Sequence, residues 1–340
     1  MKRRIHILSI FYFLATLLCL GQLPRTTIES IYPPGGQKGT EIEIMIKGKE
    51  NGDAQWLKFT HDGIKAEQIR NEKGGIETGR FKVRIGKEVQ PGLYEVQLGG
   101  GRFGASNVGT FVVSPLPVIL SPADNNSREK AFAIEQGTTI SGKTVARKYT
   151  FFKFNAKKGQ KLIIHCATEE IDSNLSPVLN VMDAQGNELA SEGYSGILEF
   201  SPIADGEYYI KLYDFLYGGS ELHYFQLTVS QRPHIDFVVP PIGKPGAKTR
   251  FTLFGRNLPD GQPSGLKLPN GREVYKKEVE IQLPANADEK DPMKLFGKVN
   301  PQQMLLPSTQ YRLDSTNGPS NPILIGLSNE KIVEETTDNN

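Results

Sequence analysis

Tyrosines are the side chains of this chain best placed to engage another molecule. In Gly206-Glu-Tyr-Tyr-Ile-Lys-Leu-Tyr-Asp214 side chains alternate between two faces, as they must on a strand. Tyr208, Ile210 and Leu212 fall on one face, while Tyr209, Lys211 and Tyr213 fall on the other. A second run, Tyr224-Phe-Gln-Leu-Thr-Val229, puts Phe225, Leu227 and Val229 on an apolar face and Tyr224, Gln226 and Thr228 on a polar one. With Gly218-Gly219 between them, the two runs read as a hairpin. Its polar face would carry Tyr209, Tyr213 and Tyr224 with Lys211 among them and Tyr217 at the turn. Exposed tyrosines offer a large apolar surface with a polar tip, which suits a binding surface. Covered by a loop or a neighbouring domain, the same residues would be scaffold.

The other reactive side chains do not assemble into a catalytic pattern. Gly193-Tyr-Ser195-Gly-Ile197 has the look of a nucleophile elbow, but Ile197 stands where the closing glycine belongs. Glu169, Glu170 and Asp172 cluster after a strand and read as a solvated loop rather than a glycosidase pair. His61, His165, His223 and His234 are far apart in sequence. No His-Glu-x-x-His, no phosphate-binding glycine loop and no dinucleotide fingerprint occurs. The expectation is therefore a protein that is not an enzyme, with no cofactor.

The elements that position these residues are strands, and the compartment is an oxidising one. Lys2-Arg3-Arg4 followed by the apolar Ile5 to Leu20 reads as a secretory signal spanning 1–21. That predicts a secreted, periplasmic or cell-surface protein with no membrane segment beyond the signal. Of 40 basic and 38 acidic residues, cleavage there would remove three basic ones, leaving 37 against 38. So balanced a charge gives no footprint for nucleic acid. Cys166 would be the one remaining cysteine, in phase with Leu162 and Ile164, hence a buried thiol rather than half of a disulfide.

Thirty-five glycines and 22 prolines break the chain into short strands. Ile42, Ile44 and Ile46 alternate with polar partners, and Trp56–Phe59, Arg80–Ile85, Gly92–Leu98 and Gly109–Val113 follow at the spacing of a β-sandwich. The entry Pro33-Pro-Gly-Gly-Gln-Lys-Gly39 before Glu41–Gly48 returns as Pro240-Pro-Ile-Gly-Lys-Pro-Gly246 before Thr249–Gly255. Two copies of one domain are the simplest account. The predicted architecture is all-β: tandem sandwiches, immunoglobulin-like and jelly-roll-like, over 23–116, 117–231 and 232–330, with a polar tail at 331–340.

Both copies resemble the IPT/TIG immunoglobulin-like domain in that entry motif, although Ala247 replaces its threonine in the second. The middle segment resembles the bacterial pre-peptidase C-terminal domain. The likeness runs through Phe151-Phe-Lys-Phe, Gly159-Gln160, Pro177-Val-Leu-Asn-Val-Met-Asp183-Ala-Gln-Gly186 and Ala204-Asp-Gly-Glu-Tyr-Tyr209. It implies a non-catalytic module of a secreted or surface protein, binding an extracellular protein or polysaccharide, or else an accessory region of a secreted peptidase or other hydrolase. The family's entry segment can hold calcium through carboxylates and amides. Here Ser121 and Ala123 occupy the two glutamate positions, which leaves Asp124, Asn125 and Asn126 as calcium candidates or, on the alternative reading, as turn residues bonding their own backbone.

Overall fold

Alternating apolar residues gather the strands into three pairs of packed sheets. The computed structural model describes residues 24–193, 195–268, 271–286 and 307–330. The expected signal at 1–21 and tail at 331–340 lie outside the described residues. Among these, no helix is long and apolar enough to cross a membrane.

In the first pair, one sheet orders Ser30–Tyr32, Glu41–Lys47, Ile76–Ile85 and Ile64–Arg70, and the other orders Gly35–Gln37, Gly109–Ser114, Gly92–Gly99 and Trp56–Phe59. Between them lie Ile44, Ile46, Phe81, Val83, Val96, Leu98 and Phe111, none more than 2% exposed. In the third pair His234–Val239, Lys248–Arg256, Glu273–Gln282 and Gln262–Lys267 repeat the order of the first sheet, and Ile242–Gly243 pairs in parallel with Ile323–Leu327 as Gly35–Gln37 does with Gly109–Ser114.

The duplication extends to side chains that sequence comparison passed over. Asn107 accepts the Ile28 N–H at 2.8 Å and donates to the Ile28 carbonyl at 3.0 Å. Asn321 makes the same two bonds to Ile235, at 2.7 and 2.9 Å. The serine before each asparagine accepts a backbone N–H, from Leu98 to Ser106 and from Leu313 to Ser320. Each asparagine thus ties the opening segment of its sandwich to a late loop, while the serine before it holds that loop to Leu98 or Leu313, so that these backbone groups are satisfied.

The middle sandwich corrects the hairpin expected from the sequence. Both strands form, as Gly206–Asp214 and Tyr224–Ser230, but they do not pair with each other. Gly206–Asp214 lies in a sheet ordered Phe132–Ala133, Thr150–Ala156, Gly206–Asp214, Pro177–Met182 and Glu188–Gly193. Tyr224–Ser230 lies in the opposite sheet, ordered Ile197–Phe200, Leu162–Ala167, Tyr224–Ser230, Thr139–Lys143 and Val118–Leu120. Residues 215–223 cross between the layers, a connection too long for a tight turn and long enough to span the roughly 10 Å between packed sheets. Each strand is central in its own sheet, so their apolar faces bury each other. Leu212, Ile210, Phe225, Leu227 and Val229 are all fully buried.

That crossing moves Tyr224 to the far side of the sandwich. It is 1% exposed, its hydroxyl donates to the Ile171 carbonyl at 2.8 Å, and Tyr32, Leu93 and Val112 of the first sandwich pack over it. Nearby, Glu221 pairs with Lys143 of its own sandwich at 2.5 Å and with Lys47 across the same junction at 3.1 Å. Cutting a buried aromatic to alanine forfeits its contacts and leaves a cavity. Tyr224→Ala is therefore expected to lose about 3–5 kcal/mol of stability, and Tyr224→Phe, which removes the hydroxyl's bond alone, about 0.5–1.5 kcal/mol; urea unfolding of both variants checks the ratio.

Candidate functional site

The outer face of the strand Gly206–Asp214 is open where the outer face of Tyr224–Ser230 is covered. Tyr209, Lys211 and Tyr213 project from it, each half-buried. Neighbouring strands bring further rings to the same face, since Lys211 sits opposite Phe151 and Tyr209 opposite Lys153. At the near end, Tyr209 donates to Glu207 Oε1 at 2.5 Å and Lys153 pairs with Glu207 at 3.0 Å. The Arg128 guanidinium lies 5.9 Å from the Tyr209 ring. The hydrogen bond with Tyr209, then that with Lys153, holds the Glu207 carboxyl below the usual range.

At the far end three tyrosines converge. Tyr213 stacks on Tyr217 with centroids 5.2 Å apart and planes 23° apart. Tyr149 meets Tyr213 edge-on at 5.2 Å and Tyr217 at 6.3 Å. Lys211 Nζ lies 5.3 Å from the Tyr149 ring and 5.8 Å from the Tyr213 ring, a cation between two π faces. A side-chain hydrogen bond with Tyr149, then its charge, raises the Tyr217 hydroxyl, whereas burial is the first cause that raises Tyr213.

The loop that presents Tyr217 is built on one buried carboxylate. Asp214, 5% exposed, accepts the N–H of Ser176 at 2.9 Å through one oxygen, and those of Leu216 at 2.9 Å and Gly218 at 2.8 Å through the other. These bonds coil the chain so that Tyr217 takes a left-handed φ of 56°, and Arg147 N–H closes on its carbonyl at 3.0 Å. Gly219 then packs against the Val145–Ala146 backbone, where an added Cβ would stand 2.1 Å from the Ala146 nitrogen. The loop leaves Phe215 and Leu216 at its tip, 46% and 81% exposed.

Of the five binding candidates, four therefore share one face: Tyr209, Lys211, Tyr213 and Tyr217. Tyr224 does not, because the crossing loop sends it to the opposite sheet. Tyr149, Phe151, Phe215 and Leu216 were not anticipated as site residues. The alternation of Thr150–Ala156 signals Phe151, which shares an outward phase with Lys153. Tyr149 and Leu216 lie in loops and have no such signal.

Of the calcium candidates Asp124, Asn125 and Asn126, the structure engages one. The Asn125 carboxamide is buried, donating to the Phe151 carbonyl at 3.0 Å and to Ser121 Oγ at 3.3 Å, while the Asn125 backbone carbonyl accepts the Phe151 N–H at 2.7 Å. It braces the entry segment against the sheet. Asp124 and Asn126 point to solvent. Among the described residues, no group of three or more histidine, cysteine or acidic side chains could hold a metal ion.

No family model matches the chain, and no curated protein matches it. Solved structures that it is similar to include the pre-peptidase C-terminal domain of collagenase from Bacillus anthracis, 23% identical, covering 31% of this chain and 99% of that one at a TM-score of 0.25. SGBP-B of the mixed-linkage glucan utilization locus of Bacteroides ovatus, in complex with a mixed-linkage heptasaccharide, is 8% identical, covering 62% and 77% at 0.22. Carbohydrate-binding modules of the β-sandwich superfamily are 11% identical, covering 61% and 96% at 0.19.

A second cluster brings together two histidines that lie far apart in sequence, with Glu170 beside them. At the junction of the second and third sandwiches the His165 and His234 rings come within 6.1 Å. His165 Nε2 lies 3.1 Å from Glu170, and Arg256 stands 3.5 Å from Glu199 and 3.4 Å from Asp236. Ser195 lies near this junction but turns its hydroxyl back on Ile197, whose N–H it accepts at 3.2 Å. Cys166, in the adjacent core, has its thiol pushed up by burial and then by Glu170.

Burial pulls His165 down, but Glu170 outweighs it and leaves the imidazole above its ordinary value. For His234, burial first and then the charges of His165 and Arg256 push it down to about 3. Unfolded, His234 takes up a proton near its usual 6.5, which the folded chain refuses until about 3. The unfolded state therefore binds more protons in that window, and folding stability falls as pH falls through it. Glu199 and Asp236, raised chiefly by burial, act in the opposite sense and soften the slope. His234→Gln is expected to lose less stability than the parent chain between pH 6.5 and pH 4, as read from urea unfolding at a series of pH values.

Proposed function

We propose that this chain is an exported, non-catalytic binding protein whose middle sandwich holds an extracellular polymer, matrix protein or polysaccharide, on the tyrosine face. The observation that carries this reading is the packed trio Tyr149, Tyr213 and Tyr217 around Lys211, flanked by the exposed Phe215 and Leu216. Tyr149 and Tyr217 are 39% and 45% exposed, although burying them elsewhere would have been favourable by hydrophobic transfer. Rings that hold one another in place lose little side-chain freedom when a partner lands on them, so more of the contact energy appears as affinity.

The shape of the surface favours an extended partner. The trio lines neither the cavity where the three sandwiches meet nor the smaller one between the first and second, and stands on the open side of a five-stranded sheet. Such a surface takes the flat face of a sugar ring or of an extended peptide better than an enclosed small molecule. The residue pattern that resembles pre-peptidase C-terminal modules supports the same reading, as does the basic and apolar leader that resembles a secretory signal.

Retention of the full chain on a panel of insoluble matrix proteins and polysaccharides tests it. Tyr149→Ala, Tyr213→Ala and Tyr217→Ala are each expected to weaken the retained interaction by about 1–3 kcal/mol. Their melting temperatures should stay close to that of the parent chain. Retention on no member of the panel, or retention that ignores all three substitutions, would overturn the assignment.

A further inference from the structure

Where the three sandwiches meet they leave an open cavity of about 470 Å³, well inside the range of small-ligand sites. It lies against the covered sheet of the middle sandwich, on the opposite side from the tyrosine face, and belongs to none of the roles above. Two guanidiniums line it. Arg232, in the segment joining the second sandwich to the third, donates Nε to the Pro319 carbonyl at 2.8 Å. Arg312 donates Nη2 to Pro91 O at 2.5 Å and Nη1 to Ser320 O at 3.3 Å, tying the third sandwich to the first.

Arg232 meets carbonyl oxygen with one of its five N–H donors, and among the described residues it has no carboxylate partner. Burial makes its charge harder to hold, and burial followed by the Arg232 charge does the same to Arg312. The acids that also line the cavity are engaged elsewhere, Glu170 with His165 at 3.1 Å and Asp236 with Arg256 at 3.4 Å. Arg232 therefore brings to the cavity a charge and free donors that an anion would satisfy, and Arg312 lines the same cavity. Gln226, Thr228 and Ser230, from the outward phase of Tyr224–Ser230, also line the cavity and bring amide and hydroxyl groups suited to a polyhydroxylated ligand.

We propose that this cavity binds a sugar unit bearing an oxyanion, carboxylate or sulfate, with Arg232 and Arg312 holding the anionic group and the polar strand meeting its hydroxyls. A planar guanidinium can give two parallel bonds to either group.

Calorimetric titration of the full chain with sodium glucuronate, with glucose 6-sulfate and with glucose, at matched ionic strength, tests the assignment. Saturable binding of glucuronate, of the sulfate ester or of both is expected, and the arm that binds identifies the anion; glucose should give no saturable heat. Arg232→Gln should weaken binding by about tenfold or more, the scale of losing charge-assisted hydrogen bonds, while Arg232→Lys should lose less. If Arg232→Gln does not fold, the parent chain still decides through its melting temperature, which rises with a ligand that binds the folded state. Failure of both anionic sugars to bind, equal binding of glucose, or an Arg232→Gln variant that binds like the parent would each overturn the proposal.

Discussion

A carboxylate buried at the end of a strand must be met by donors or it unfolds its surroundings, and Asp214 is met by three backbone N–H groups. Those bonds decide where Gly206–Asp214 stops and in which direction the chain leaves. By gathering Leu216 and Gly218 onto one oxygen, Asp214 coils the following residues outward, and the chain then descends to the opposite sheet and not back along its own. The two strands richest in tyrosine consequently become the centres of two different layers. Everything distinctive about the middle sandwich follows from that division, including which of its tyrosines can meet a partner.

The division also explains why the two outer faces have different fates. The face of Tyr224, Gln226 and Thr228 carries small and amide side chains beside one large ring, and it is the face on which the neighbouring sandwiches sit. Tyr32 reaches across to the Ser141 carbonyl at 3.4 Å with Lys143 4.0 Å above its ring, and Ser114 meets Thr139 at 3.4 Å. Among the described residues, no neighbouring sandwich packs on the face of Tyr209, Lys211 and Tyr213. A charged lysine between aromatic rings is compatible with solvent there and would be costly under a packed domain.

Most strands were legible because burial on one face imposes period two, and that period survives in Ile42, Ile44 and Ile46 or in Tyr208, Ile210 and Leu212. Pairing was less legible. The phase of Phe225, Leu227 and Val229 says that one face is apolar, yet it is the same phase whether the strand closes a hairpin or covers its predecessor from the other sheet. Gly218-Gly219 suggested the hairpin; in the structure Gly219 is required by close approach to Val145–Ala146, a contact that no local pattern encodes. The meeting of His165 with His234 and the recruitment of Tyr149 were hidden for the same reason. Both depend on how elements dock after they form. The Ser-Asn clamps could have been found, since Ser106-Asn107 and Ser320-Asn321 stand in corresponding places of the two copies, but a two-residue match carries little weight until its bonds are seen.

Cores and junctions differ in what holds them. Each sandwich is closed by aliphatic and aromatic side chains whose burial is indifferent to pH and little affected by salt. The junctions add to the apolar packing around Tyr224 a set of polar pairs: Lys47 with Glu221, Arg256 with Glu199, Arg312 with Pro91, and Asn257, which donates to the Lys161 carbonyl at 2.8 Å. Pairs of this kind are individually modest and sensitive to screening and protonation. The relative placement of the sandwiches is thus the softer level of this structure, and it is at that level that the two guanidiniums, the two imidazoles and their cavity are assembled. An anion that joins Arg232 to Arg312 would act on placement while leaving the three cores as they are, and the tyrosine face, built within a single sheet and one Asp214-bound loop, would keep its geometry throughout.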